Sequence, residues 1–354
     1  MINFENLLKK DPFSLIDKKK KIFFEKKINE LTIHHFNNCS EYKKILKFLN
    51  YKTSKNLKIE EIPFIPVRLF KEFKLLSVKK KKIIKILNSS GTSNNKLSKI
   101  YLDKKNSDQQ LKVLQSIMSK IIGNVRLPML IIDKKPNIRD RQKFNAKIAA
   151  INGFSVFGKH HHYLLTDNDE IDYNSLNVFL NKYSDQKFFI FGFTSIIFEN
   201  LIKRLDPKLL TRTLHKGILL HGGGWKKLEN QKISNNLFKK KLNDKLKLMN
   251  IYNYYGLIEQ TGSIFIECKC GYFVSSNFSE VIVRDNNFKV AKNGSKGFLQ
   301  LLSLLPSSYP GHSILTEDVG QIIDKNKCKC PFNGTRFLVH GRLSEAEIRG
   351  CSDV

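Results

Sequence analysis

Residues 127–256 alternate between short apolar runs and helical periodicities, and this alternation restricts the fold more than any other feature of the chain. Runs at 130–133, 188–193, 217–220 and 251–255 read as strands, with a further strand expected around 154–157. Apolar residues recur at three-to-four spacing over 106–123, 142–151, 175–183, 197–205 and 234–248, the spacing of helices packed on one face. The run FFIFGF at 188–193 is apolar throughout, as in a strand covered on both sides. Strand and helix in alternation predict α/β layers around a parallel sheet.

The flanks read differently. Residues 3–50 carry helical spacing interrupted at Pro12, and Ile62-Pro63-Phe64-Ile65-Pro66-Val67 is extended because a residue before proline avoids the helical region. A strand at 83–87 precedes a Ser/Thr-rich loop. From residue 262 onward glycines, turns and short strands at 281–283 and 299–305 predict a smaller mixed-β section. The expected organisation is a helical segment at 1–60, an α/β core at 61–261, mixed-β structure of the same domain at 262–342, and a short tail at 343–354.

No apolar run reaches the roughly 18 residues that span a bilayer. The N-terminus carries Glu5 and no long apolar stretch, unlike a signal peptide, so a cytoplasmic protein is expected. The 354 residues include 62 Lys+Arg against 32 Asp+Glu, a formal charge of +30. The lysines are spread along the chain, densest at 18–21, 79–82 and 239–241, which favours solvated faces over a nucleic-acid surface. Peripheral contact with a membrane stays open on this reading, and a basic nucleic-acid-binding protein without catalysis is one alternative.

Six cysteines, Cys39, Cys268, Cys270, Cys328, Cys330 and Cys351, have little call to form disulfides in the cytosol. Cys39 reads as an inert helix residue. Cys268 with Cys270 and Cys328 with Cys330 form two C-x-C pairs. Four thiolates suit tetrahedral zinc, with plain thiols as the other reading.

Four polar segments are suited to chemistry. Ser89-Ser90-Gly91-Thr92-Ser93 offers backbone N–H groups and hydroxyls to a polyanion, with Lys96 and Lys99 following. His221-Gly222-Gly223-Gly224 lets backbone approach a ligand closely. Tyr254-Tyr255-Gly256-Leu257-Ile258-Glu259-Gln260 combines an aromatic face for a nucleobase with a carboxylate for magnesium. Thr316-Glu317-Asp318-Val319-Gly320 supplies an acceptor for ribose hydroxyls. All four are expected beyond the carboxyl ends of the sheet strands. Taken singly, Glu259 also reads as a surface carboxylate, His221 as a hydrogen-bonded loop residue and Tyr255 as core packing.

Together SSGTS at 89–93, HGGGWKK at 221–227, YNYYGLIEQTGSIFIEC at 252–268, TEDVG at 316–320 and HGRLSEAEIRGC at 340–351 resemble the adenylate-forming synthetases. The likeness spans roughly residues 60–351. More narrowly the chain resembles the acyl-protein synthetase (LuxE-type) family, and more distantly the phenylacetate–CoA ligases. The resemblance implies an α/β adenylate-forming domain that uses ATP and Mg²⁺. A carboxylic acid, a fatty acid in this family, would displace pyrophosphate, and a cysteine would then take the acyl group. It implies that Ser89, Ser90, Gly91, Thr92, Ser93 and Lys96 grip phosphates, that Gly223, Gly224, Tyr255 and Gly256 approach the nucleotide, and that Glu259 binds Mg²⁺. Asp318 and Arg342 would contact ribose or phosphate. Cys351 would accept the acyl group, with Glu259 and His221 also catalytic, and one of His160, His161 and His162 would serve the carboxylate pocket. The implied partner is an acyl-accepting reductase or carrier protein. The chain departs from the usual pattern in two ways: no lid lysine can be assigned after Arg342, and Leu343-Ser344-Glu345 replaces the aspartate expected after the Gly-Arg pair. Transfer to coenzyme A is the second enzymatic reading.

Overall fold

The protein is described by a computed structural model over residues 4–51, 56–89, 97–136 and 146–342. It divides into two compact units. Within the described residues, the first comprises 4–89, 97–117 and 256–342, and the second 118–255.

The first unit begins with helices α1 (Phe4–Leu8), α2 (Asp17–Asn38), α3 (Ser40–Phe48) and α4 (Leu69–Glu72) and the two-residue strand β1 (Ile65–Pro66). Strands β2 (Ile83–Asn88) and β3 (Lys99–Asp103) form an antiparallel ribbon of their own. Ser89, where the Ser/Thr run begins, thus follows a strand of this ribbon and not one of the parallel sheet. Ile84 and Ile86, on one face of β2, are 63% and 49% exposed, so this apolar face is not covered as it would be in a sheet between layers. Helix α5 (Lys104–Ile122) follows.

The second unit holds the parallel sheet. Its strands are β4 (Leu127–Lys134), β5 (Gly158–Leu165), β6 (Phe188–Phe193), β7 (Gly217–Gly222) and β8 (Asn250–Tyr255), paired in the order β5-β4-β6-β7-β8. All residues of β6 and β7 are buried, as continuous apolar runs require when helices cover both faces. On one face Ile190 and Leu219 pack with Leu176 and Phe179 of α7 (Tyr173–Tyr183) and with Leu242 and Leu246 of a later helix, Asn235–Leu246. On the other, Phe191 stacks at 4.6 Å on Phe154 of α6 (Ala146–Ser155). The remaining helix α8 (Thr194–Ile197) leaves β6 directly, and α9 is the Asn235–Leu246 helix. Ser234 caps α9 by accepting from Leu237 N, and Asp172 caps α7 by accepting from Ser175 N. Gly222 is required by packing, since a Cβ there would collide with the Tyr254 ring.

One strand assignment is corrected here. Residues 154–155 finish α6, the turn closes with Phe157 N donating to Phe154 O, and the strand starts at Gly158. The polar His160-His161-His162 tract hid it. As the last strand of this sheet, β5 keeps only part of its surface buried and tolerates the histidines.

The chain then returns to the first unit with β9 (Phe265–Glu267), β10 (Phe273–Val274), β11 (Ser279–Arg284), β12 (Lys296–Ser303), β13 (Ser313–Ile323) and β14 (Arg336–Arg342). These pair antiparallel in the order β11-β12-β13-β14-β10-β9, and β1 adds in parallel to β13. This is the mixed-β section predicted after residue 262. Its core joins Ile65, Phe70, Leu87, Ile100, Tyr309 and Ile314 with Tyr42 and Leu46 of α3. Among the described residues no helix is long and apolar enough to cross a membrane.

Candidate functional site

In the first unit Glu259 sits in the one-turn 3₁₀ helix Ile258–Gln260. It is 5% exposed, so the reading of a surface carboxylate does not hold. Burial pushes its carboxyl up from the ordinary range, against the opposing pull of the Ser98 hydroxyl, its own backbone and the Arg342 charge. The turn is fixed from both sides. Tyr309 OH donates to Glu259 O at 2.9 Å, and Gln260 Nε2 donates to Leu301 O at 3.0 Å and Gly311 O at 2.9 Å. Gly311 has no room for a side chain, because a Cβ would meet Glu259 O at 2.6 Å.

Ser98, whose hydroxyl acts on the Glu259 carboxyl without a hydrogen bond to any described residue, belongs to the base of the predicted phosphate loop. Ser89 N donates to Ser98 O at 3.0 Å, and Ser98 N donates to Ser89 Oγ at 2.9 Å. This reciprocal pair closes the base of the loop. Ser90, Gly91, Thr92, Ser93 and Lys96 lie outside the described residues, as does Cys351.

Asp318 and Arg342 are register partners on β13 and β14. The guanidinium Nε lies 3.5 Å from Asp318 Oδ1. Thr316 Oγ1 accepts from Asp318 N at 3.1 Å and donates to Leu299 O at 2.9 Å, fixing the backbone where β13 shifts register against β12. Beside them Arg68 Nε pairs with Glu317 Oε1 at 2.9 Å. Glu259, Ser98, Asp318 and Arg342 therefore belong to one unit, with the Arg342 charge acting on both carboxylates.

The second unit holds His221, Gly223, Gly224 and Tyr255. His221 is 1% exposed near the carboxyl end of β7 and packs its ring 4.7 Å from Phe238. Thr194, at the carboxyl end of β6, is 3.0 Å from His221 Nδ1 and donates its hydroxyl to Gly222 O at 3.1 Å. The threonine proton is thus used on Gly222, so His221 donates from Nδ1 and keeps Nε2 as an acceptor. Nε2 has no partner among the described residues. Burial, reinforced by the Lys239 charge, lowers His221 to about 3, so the ring is neutral across the physiological range. His221 is therefore a buried strand residue rather than a loop residue. Gly223 adopts φ +79, a conformation that favours glycine, while a Cβ on Gly224 would meet open space. Tyr255 ends β8 half-buried, and Gly256 opens the turn to Glu259. Of the three histidines on β5, His162 is lowered by burial and by Lys182.

Cys268, Cys328 and Cys330 come together in the first unit, their sulfurs within 4.8 Å of one another. Burial pushes Cys268 up to about 12 and also raises Cys330. For Cys328 burial is outweighed by the Cys330 backbone, Arg336 and the neighbouring thiols, which bring it down to about 6. Cys270 is exposed.

Ser98, Thr194 and Tyr309 were not picked out as site residues from the sequence. Thr194 follows an uninterrupted apolar strand, a position where parallel sheets present ligand-binding groups, and that was a usable signal. Ser98 and Tyr309 carry no local signal.

A family model described as acyl-protein synthetase, LuxE, matches residues 3–354. Among solved structures the fold resembles an open conformation of 2-hydroxyisobutyryl-CoA ligase in complex with 2-HIB-AMP and CoA, at TM-score 0.68 and 10% identity, covering 96% of this chain and 79% of that one. It also resembles the same ligase in the thioesterification state, at TM-score 0.67 and 10% identity, covering 94% of this chain and 70% of that one. At this identity the likeness shows the fold alone. A comparison with curated proteins finds no match.

Proposed function

The chain belongs to the acyl-protein synthetase, LuxE, family, and on that premise we propose that it activates a fatty acid with ATP and takes the acyl group onto Cys351. It is an AMP-forming ligase. The carboxylate oxygen attacks the α-phosphorus of ATP, the bond to the bridging oxygen breaks, and acyl-AMP and pyrophosphate result. The Cys351 thiolate then attacks the acyl carbonyl, releasing AMP and leaving a thioester. A partner reductase or carrier protein would take the acyl group from there. The Cys351 role rests on the resemblance of the terminal Arg-Gly-Cys.

The observation that carries this reading is the buried Glu259, under the charge of Arg342 and in the same unit as the base of the 89–98 loop. A carboxyl kept from water, on a turn whose backbone is fixed by Tyr309 and Gln260, fits a cation, because a bound cation restores the ionised form that burial disfavours. Glu259 would hold Mg²⁺, which when bound neutralises charge on the phosphates of ATP. The Asp318 carboxylate would accept from ribose hydroxyls while Arg342 stays beside it, and the loop hydroxyls with Lys96 would hold phosphate. By the resemblance Tyr255 and Gly256 take adenine, and Gly223 and Gly224 admit the nucleotide. His221, neutral and turned onto Thr194, acts as a positioning residue for the glycine turn rather than as a proton carrier.

Intact mass of the full chain after incubation with ATP, Mg²⁺ and a panel of fatty acids tests both half-reactions. The expected result is an acyl adduct on wild type and none on Cys351→Ser, with pyrophosphate released by both. Equal adducts on the two proteins would overturn the cysteine assignment. Acyl-CoA formed on adding coenzyme A, without a protein adduct, would select the CoA-ligase reading.

A further inference from the structure

We propose that Cys268, Cys270, Cys328 and Cys330 form a structural zinc site, independent of the adenylation reading. The fold brings together two Cys-Lys-Cys pairs whose first members lie 60 residues apart. Strands β9 and β10 pair with Glu267 opposite Phe273, so the five residues between them reverse the chain. Cys268 N donates to Tyr272 O at 2.8 Å, and Gly271 N donates to Cys268 O at 2.9 Å with Gly271 at φ +83. This turn carries Cys268 inward and Cys270 outward.

The second pair follows the 3₁₀ turn Lys325–Lys327 and precedes β14. Phe337 of β14 pairs with Phe273 of β10, so the ladder that orders the first turn also draws residues 328–330 beside it. Sulfurs of Cys268 and Cys328 are 3.6 Å apart, and those of Cys328 and Cys330 are 3.2 Å apart. Cys270, exposed on the same turn two residues after Cys268, would supply the fourth sulfur beside the three that already meet.

Distance distinguishes the chemistry. A disulfide requires about 2.05 Å between sulfurs. Tetrahedral zinc, with Zn–S near 2.3 Å, places its sulfurs about 3.8 Å apart. The observed separations lie closer to the metal geometry, and the cysteines are free. Four thiolates around Zn²⁺ retain a double negative charge. Arg336, 3% exposed, lies with Nη2 at 3.7 Å from the Cys330 sulfur while donating to Phe332 O and Gly334 O, and its charge offsets the excess. Sulfur donors select zinc over magnesium, and four protein ligands leave no open position for catalysis. The metal would cross-link the β9–β10 turn to the segment that enters β14, the strand that ends at Arg342.

Metal analysis of the full-length protein, purified without chelator, is expected to give about one zinc per chain. Cys268→Ser/Cys328→Ser is expected to lose the metal, and cobalt exchanged into wild type should show thiolate-to-metal charge-transfer absorption. Should the double variant fail to fold, alkylation of wild type decides: the thiols should react slowly until zinc is chelated. Zinc below about a tenth of an equivalent with four freely reacting thiols, or iron in its place, would overturn the proposal.

Discussion

Glu259 and His221 show what the two units do with a buried titratable group. Both are almost completely enclosed, and burial drives each toward its neutral form, raising the carboxyl and lowering the imidazole. The consequences differ. A neutral imidazole is a complete hydrogen-bonding group, and His221 spends its one proton on Thr194. A carboxylate must be ionised to hold a cation, so Glu259 becomes useful only with positive charge nearby, and Arg342 supplies part of it. The antiparallel sheet of the first unit thus keeps charge by pairing strands that carry opposite signs, as with Asp318 and Arg342. In the second unit Thr194 and His221 present neutral donors and acceptors at the carboxyl ends of β6 and β7.

The largest effect expected from this contrast is at Glu259. Glu259→Gln keeps the shape and removes the charge, and acid-dependent pyrophosphate release should fall by about 10²–10³-fold. Stability at neutral pH should not fall, because a buried carboxylate is costly in the folded state. Activity lost together with a lowered melting temperature would point to a structural role instead. Next comes Asp318→Asn, which leaves an acceptor without charge. The KM for ATP should rise about tenfold, equivalent to about 1.4 kcal/mol, with kcat little changed. An unaltered KM would remove Asp318 from the nucleotide site.

At His221 the expected effects are smaller and fall on stability. Asparagine places its amide N–H near the position of Nδ1, whereas glutamine places it near Nε2. His221→Gln should therefore be less stable than His221→Asn by about 1 kcal/mol in urea unfolding. Equal stability would mean that the Thr194 contact contributes nothing. A pH slope gives a second reading of the same residue. The folded His221 titrates near 3 against an ordinary 6.5, so between these values only the unfolded chain binds the proton, and its contribution to stability rises with pH. His312, also near 3, and His35 act in the same direction. Glu259 acts in the opposite direction: from pH 4.5 up to its raised folded value, stability falls as pH rises. Wild type should gain stability from pH 3 to 6.5, and His221→Asn should gain less. Identical slopes would contradict the neutral histidine.

The central strands β4, β6 and β7 were legible because they run buried on both faces, as at Phe188–Phe193. Strand β5 was misplaced because its histidines face a less demanding environment, and the separate pairing of β2 with β3 is a long-range choice that local pattern does not encode. The same limit applies to the candidate site. Glu259 and Asp318 were visible as residue types in suggestive strings, but the partners that set their charge state were not. Arg342 reaches Asp318 through strand register, and Ser98 is positioned by the closure of its loop onto Ser89. The cysteine pairs were visible in the sequence, and the β9–β10–β14 ladder explains why sulfurs 60 residues apart meet.

The most direct test of the account follows oxygen. With fatty acid labelled by ¹⁸O in its carboxyl group, ATP and Mg²⁺, attack on the α-phosphorus transfers one labelled oxygen to AMP once the acyl group leaves. The account predicts AMP carrying a single ¹⁸O and unlabelled pyrophosphate. Label in inorganic phosphate, or AMP free of label, would contradict it.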